Sequence, residues 1–214
     1  MARLEQTQAA IEEVKGTEEL FSGLNVPLRK WKGIVLHHSW KPEKPKWETN
    51  YGKVFDHFHF KTNGWNNGCG YDFVASWNPD NPSEVKIWKT YRWKNQLSGA
   101  HTINKKGSVG VKYPNKTHIG ICVVGDFDHE SLPEAAARAI DQKLVEPLLH
   151  KFGLKATPST VFEHNQFDYK TCPGTQFDMS IFQKEDGKVP KASKSTSKLV
   201  GHKMLTWLED IYKG

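Results

Sequence analysis

The stretch Val161-Phe162-Glu163-His164-Asn165-Gln166-Phe167-Asp168-Tyr169-Lys170-Thr171-Cys172-Pro173-Gly174 decides how the chain is read. It sets a histidine and a cysteine eight residues apart, with a lysine two residues before the cysteine and a Pro-Gly stop after it. Imidazole and thiolate are both good zinc ligands, and a catalytic zinc takes three protein ligands while water holds the fourth position. The third donor lies upstream, in Gly33-Ile34-Val35-Leu36-His37-His38-Ser39, where an apolar run ends in two histidines. Such a run reads as a buried strand that delivers an imidazole at its C-terminal end. The working set is His37, His164 and Cys172. Successive strand residues face opposite ways, so only one of His37 and His38 can reach a common site, and the residues alone leave the choice open.

Composition narrows the function classes. At 214 residues the chain suits one domain with appendages. Apolar residues make up 37%, mean hydropathy is -0.66, and no apolar run approaches the roughly 20 residues of a membrane span. The polar start, Met1-Ala2-Arg3-Leu4-Glu5-Gln6, lacks the apolar core of a signal peptide, so synthesis in a cytoplasm is expected. Three cysteines, an odd number, argue against a disulfide framework. In a reducing compartment Cys172 can serve as a thiolate ligand, with Cys69 and Cys122 as plain thiols. A net charge of +6 suits a polyanionic partner. The basic residues are scattered outside a lysine-rich tail, and no zinc-finger, RNP-like or helix-turn-helix pattern is present, so nucleic acid is not the expected partner.

Taken in order, residues 3 to 24 read as a polar helical arm with Leu4, Ile11 and Val14 as a thin apolar stripe. Pro27 marks entry to the core, which makes residues 1–26 an appendage. A strand is expected near 32 to 38. A short helix carries Val54, Phe55, Phe58 and His59 and stops at Gly64. On that helix His57 and His59 point apart, which disfavours a shared metal. A hairpin follows from Gly70–Trp77 to Val85–Thr90, then a central strand over Ile119–Val124. A helix begins at Leu132 with Ser131 as N-cap and carries Ala137, Ile140, Leu144, Leu148 and Phe152 on one face. Pro147 predicts a kink or early break near Val145-Glu146. A short strand at 160–162 feeds His164, and a helical turn at 178–182 ends a core of residues 27–183. Residues 184–198 read as a Lys/Ser-rich linker, and 199–214 as an amphipathic helix with Val200, Met204, Trp207, Leu208 and Ile211 on one face. The expected fold is α/β, a mixed central β-sheet flanked by helices, with the ligands meeting at one edge.

These landmarks together resemble a known family. Ile34-Val35-Leu36-His37-His38-Ser39, Gly70-Tyr71-Asp72-Phe73, Gly99-Ala100-His101, His118-Ile119-Gly120-Ile121-Cys122-Val123-Val124-Gly125 and His164 to Gly174 stand in the order seen in type-2 N-acetylmuramoyl-L-alanine amidases. That family shares its fold with the peptidoglycan recognition proteins. The resemblance spans about residues 30 to 182. It implies a zinc enzyme that hydrolyses the amide between the lactyl group of muramic acid and L-alanine in peptidoglycan. Carried across, it makes His37, His164 and Cys172 the Zn2+ ligands, with Tyr71 and Lys170 catalytic. It selects His37 over His38, leaving His38 and His101 as candidate substrate contacts. Binding-only relatives lack the cysteine, so Cys172 favours catalysis. The long turn at Asn78–Ser83 and the long loop at Ile103–Thr117 depart from the family pattern at the groove.

The expected protein is a monomeric phage or prophage endolysin acting on the cell wall after release. An intracellular amidase that recycles soluble muropeptides and a peptidoglycan-binding module without turnover are the competing readings.

Overall fold

The computed structural model describes residues 3–107 and 109–184. The linker and tail helix expected beyond residue 184 lie outside the described residues. Six strands form one sheet: β1 (Glu12–Val14), β2 (Gly33–His38), β3 (Phe73–Trp77), β4 (Val85–Lys89), β5 (His118–Val123) and β6 (Val161–Glu163). Their spatial order is β1-β4-β3-β5-β2-β6. β2 runs parallel to both β5 and β6, and β3 parallel to β5. The hairpin partner β4 and the edge strand β1 are antiparallel to their neighbours. This is the mixed sheet the sequence predicts. β2, β3 and β5 are buried along their whole length, as expected of apolar strands covered on both faces.

Alternation along β2 divides the interior. Ile34 and Leu36 enter the larger core with Trp31, Phe73, Ile121 and Leu144. Val35 points the other way, packing with Phe162 and Phe167. The second face also receives the helix α2 (Tyr51–Asn63), through Tyr51 and Phe55 against Val74 and Trp88. Asn50 caps α2 by accepting the Lys53 amide, and Gly64 closes it in the left-handed conformation at φ 66°.

The larger core is covered by a long helical segment in three parts. It begins as a regular helix over Glu134–Ile140, widens to a π-turn over Asp141–Val145, and becomes regular again over Glu146–Lys151. Pro147 therefore does not break it. Proline offers no amide to the preceding turn, and the widened turn just upstream absorbs the irregularity. Ser131 does not cap this helix: Pro133 holds the cap position, and the Ser131 hydroxyl donates to Gln176 Oε1 at 3.4 Å.

The N-terminal segment corrects the reading of a helical arm. Only Arg3–Ala9 is α-helical, here α1; Glu12–Val14 is strand, and Thr17–Leu20 a 3-10 turn. The stripe residues Ile11 and Val14 fit a helix by spacing, but β4 supplies an open edge, and pairing with it wins. The pairing is reinforced by charge. Glu12 takes the Lys89 ammonium at 3.0 Å, and Lys89 is only 3% exposed. Lys94 bonds the same carboxylate. The indole of Trp93 donates to the Leu20 carbonyl at 2.6 Å. The segment thus completes the sheet.

Candidate metal centre and groove

His37 is the penultimate residue of β2 and lies on the Val35 face. His164 directly follows β6, which is parallel to β2, so the two imidazoles arrive side by side. Their ring centroids are 4.4 Å apart. Cys172 comes from the loop after His164; that loop folds back through Asn165, whose amide donates to the Cys172 carbonyl at 2.6 Å. One donor atom from each of His37, His164 and Cys172 lies within 4.8 Å of the others, and all three residues are buried. Cys172 Sγ is 3.7 Å from His37 Nδ1. A tetrahedral zinc would hold a nitrogen and a sulfur about 3.5 Å apart, so the trio fits that ion in both donor type and spacing.

The second histidine of the pair turns away. His38 Nδ1 accepts the Phe127 amide at 3.2 Å, and its ring lies 6.1 Å from that of Phe127, on the face of the larger core. Its backbone amide points at Cys172 Sγ, 3.4 Å away. The side chain expected to touch substrate is buried, and it holds the loop after β5.

Behind His37 stands His101. The His118 carbonyl can only accept, so the His101 Nε2 facing it at 3.2 Å carries the proton. Burial drives His101 down to about 3, so the ring is neutral and its Nδ1 is an acceptor. His37 Nε2 then donates to it at 3.0 Å, which leaves the His37 Nδ1 lone pair facing Cys172. A hydrogen-bonded partner behind a ligand fixes its tautomer and orientation. Room for the second ring comes from Gly120 in β5, where a Cβ would stand 2.4 Å from the His101 ring. The amides of His101 and Thr102 both donate to Asn115 Oδ1, which steadies the loop. His101 is 7% exposed and also borders the groove, so one residue serves both positions.

Burial sets the protonation states. It pulls His164 down to about 4 and His37 well below the usual range, so both imidazoles are free to bind metal at neutral pH. Burial pushes the Cys172 thiol up to about 12. Tyr71 packs its ring 5.1 Å from that of His37, and burial raises its phenol well above the ordinary value, so the hydroxyl remains a donor. Lys170 is exposed, and its positive charge is felt by His37, His164 and Cys172 alike.

The centre opens into a groove of about 290 Å³ bordered by Trp65, Thr102, Ile103, Lys105, Asp168 and Lys170. Lys105 pairs with Asp168 at 2.9 Å. Ile103, Tyr113 and Tyr169 are three of the four exposed large hydrophobic residues among the described residues, and all lie on the loops around this opening. Sequence reasoning missed Asn115, Thr102 and Lys105, which lie in or beside the loop Ile103–Thr117, read there only as unusually long.

Residues 27–175 match the N-acetylmuramoyl-L-alanine amidase family. No curated protein matches the chain. Among solved structures, bumblebee PGRP-SA aligns over 74% of this chain and 84% of its own, at 21% identity and a TM-score of 0.53. Drosophila PGRP-LB aligns over 75% of this chain and 87% of its own, at 22% identity and a TM-score of 0.51. The N-acetylmuramoyl-L-alanine amidase LysC from Clostridium intestinale covers 74% and 89%, at 21% identity and a TM-score of 0.47.

Proposed function

The chain belongs to the N-acetylmuramoyl-L-alanine amidase family, and on that footing we propose that it is a zinc-dependent hydrolase cutting the lactyl–L-alanine amide of peptidoglycan. The observation that carries this reading is the buried trio of His37, His164 and Cys172, opening on a groove that also receives Lys170. Zinc held there would lower the pKa of a coordinated water to about 7 and polarise the scissile carbonyl.

The chain's own residues supply the rest. The Lys170 ammonium faces the position where the carbonyl oxygen gains negative charge, and a fixed cation in a partly dry groove stabilises that charge. The Tyr71 hydroxyl, kept protonated by burial, donates a hydrogen bond to the same developing charge or orients the attacking water. His101 keeps His37 in one tautomer. The aromatic and basic rim suits a glycopeptide that carries carboxylates.

The deciding experiment pairs metal analysis with digestion of purified cell walls. One zinc per chain and release of new L-alanine amino termini are expected. New reducing sugar ends without new amines would overturn the reading, as would wall binding without turnover in zinc-replete buffer. Lys170→Ala is expected to lower turnover by roughly a hundredfold while zinc content stays at that of the native chain, because the residue stabilises charge and ligates nothing. Loss of zinc from that variant would show its role to be misassigned.

We place the enzyme among phage or prophage endolysins that reach the wall after release. The lysine-rich sequence beyond residue 184 supports an insoluble anionic target over soluble muropeptides. Comparing rates on intact sacculi and on soluble anhydro-muropeptides separates the two, with the faster rate expected on sacculi.

A further inference from the structure

Part of the groove wall comes from the turn between α2 and β3, residues 64 to 72. It presents Trp65 to the groove and then Tyr71 to His37. Its backbone is held from several sides. The Cys69 amide donates to Asp56 Oδ1 at 2.9 Å, and the Cys69 carbonyl accepts Arg92 Nε at 2.6 Å. The Gly70 amide donates to His59 Nδ1 at 3.1 Å, and the Gly70 carbonyl accepts the Ala100 amide at 2.9 Å. The His59 ring stacks on Trp65 and meets Tyr71 edge-on, with centroids 4.8 and 5.6 Å away.

Asp56 is the pivot of this arrangement, and it is fully buried. Its Oδ1 serves the turn. Its Oδ2 is satisfied by α1, through the Thr7 hydroxyl at 2.8 Å and Gln8 Nε2 at 3.0 Å. Thr7 is likewise fully buried. Gly68 makes the approach possible: its φ is +63°, and a Cβ there would lie 2.0 Å from Asp56 Oδ1. At the far end of α1, Arg3 donates to the Asn66 carbonyl and to Asn67 Oδ1, each at 2.7 Å. Both ends of α1 therefore grip the turn that carries Trp65 and Tyr71. The segment that does so lies ahead of residues 27–175, the part that matches the family.

We propose that α1 is a positioning element for the active site, acting through the Thr7–Asp56–Cys69 chain of hydrogen bonds to hold Tyr71 and Trp65 where the substrate meets them. A carboxylate buried this deeply keeps its geometry only while all its hydrogen-bond partners are present. Removing the Thr7 hydroxyl leaves Oδ2 short of a donor, and Asp56 shifts away from the Cys69 amide. The catalytic consequence rests on the amidase reading given above; the mechanical one does not.

The test uses the full chain with Thr7→Val, nearly the same shape without the donor, and Thr7→Ser, which restores it. Hydrogen exchange at the Cys69 and Gly70 amides is expected to accelerate in Thr7→Val, with exchange in β2 and β5 and zinc content unchanged. Turnover on wall fragments falls about tenfold with KM little altered, as a misplaced catalytic group does. Thr7→Ser is expected to return both quantities to within about twofold of the native chain. Arg3→Ala, at the exposed end of α1, is expected to accelerate exchange near Asn66 and Asn67 alone. Unchanged exchange at Cys69 and Gly70 in Thr7→Val would overturn the proposal, and so would acceleration spread evenly over the sheet. A native chain without amidase activity would sink the functional reading while leaving the exchange result to decide on the clamp.

Discussion

Replacing Cys172 by serine is expected to strip tightly bound zinc from the protein and to lower turnover by roughly a thousandfold or more. The sulfur stands 3.7 Å from His37 Nδ1 and is the only donor of the trio that can bring negative charge to the ion. A serine hydroxyl in its place is shorter and neutral at any ordinary pH, so the ion loses both a bond and its charge partner. The native site also carries a proton signature. Without metal, burial holds the Cys172 thiol at about 12, so loading zinc must expel that proton. His164, at about 4, has none to give near neutrality. Zinc affinity is therefore expected to climb about tenfold per pH unit between roughly pH 6 and 8. Competition with a chromophoric chelator at several pH values measures the slope. A flat profile, or a Cys172→Ser variant that keeps one zinc and full turnover, would contradict the assignment.

Metal-free protein is expected to unfold in mild acid, near pH 5, well above the range in which ordinary carboxylates protonate. Burial holds His59, His118 and His164 at about 4 and His101 at about 3, keeps His37 well below the usual range, and lowers His38. The unfolded chain protonates each near 6.5. Stability is thus intact above pH 6.5 and is lost as pH falls from there toward 4, because the unfolded state takes up the protons. Three carboxyls work in the opposite sense: burial raises Asp72 to about 7, Asp141 to about 6 and Glu163 above its usual range, so in this window they hold protons more readily in the folded state. Six histidines against three carboxyls leave a net uptake of about three protons on unfolding, or roughly 4 kcal/mol per pH unit. A domain holds some 5–15 kcal/mol in all, so roughly one to four pH units exhaust it. Urea midpoints for the chelated protein at pH 7, 6 and 5 should fall steeply. Midpoints that stay level would refute the argument, and added zinc should shift the transition to lower pH by keeping His37 and His164 neutral.

The central strands were legible because β2 and β5 are apolar along their whole length. A pattern of that kind says that a strand is covered on both faces and does not say which face is which. The choice between His37 and His38 depended on which side of β2 the larger core occupies. Ile34 and Leu36 go to that side, so His38 goes with them and His37 goes with Val35. No local signal in the two histidines carries that information. The His101 position had a signal that is clear in retrospect: Gly120 is the one residue without a side chain in the middle of an otherwise bulky strand, and the space it leaves is filled by an imidazole. The N-terminal segment misled for a different reason. Helical spacing of Leu4, Ile11 and Val14 is a property of the segment alone, whereas the Glu12–Lys89 ion pair and the pairing of Glu12–Val14 with β4 are made across more than seventy residues. The Thr7–Asp56 contact is long-range in the same way. His59, read from the sequence only as pointing away from His57, holds Gly70 by accepting its amide at the ring nitrogen.

The outermost strands of the sheet, β1 and β6, are only three residues long. Edges this short offer little to template stacking with a neighbouring molecule, and β6 is further blunted: the Val161 amide donates to the Thr157 carbonyl, the Val161 carbonyl accepts Gln183 Nε2, and the Glu163 amide donates to Gln166 Oε1. β4 is longer, and β1 shields it. A protein missing its first two dozen residues would bare that strand together with the buried ammonium of Lys89. Self-association into insoluble material during expression is the failure such a shortened chain invites.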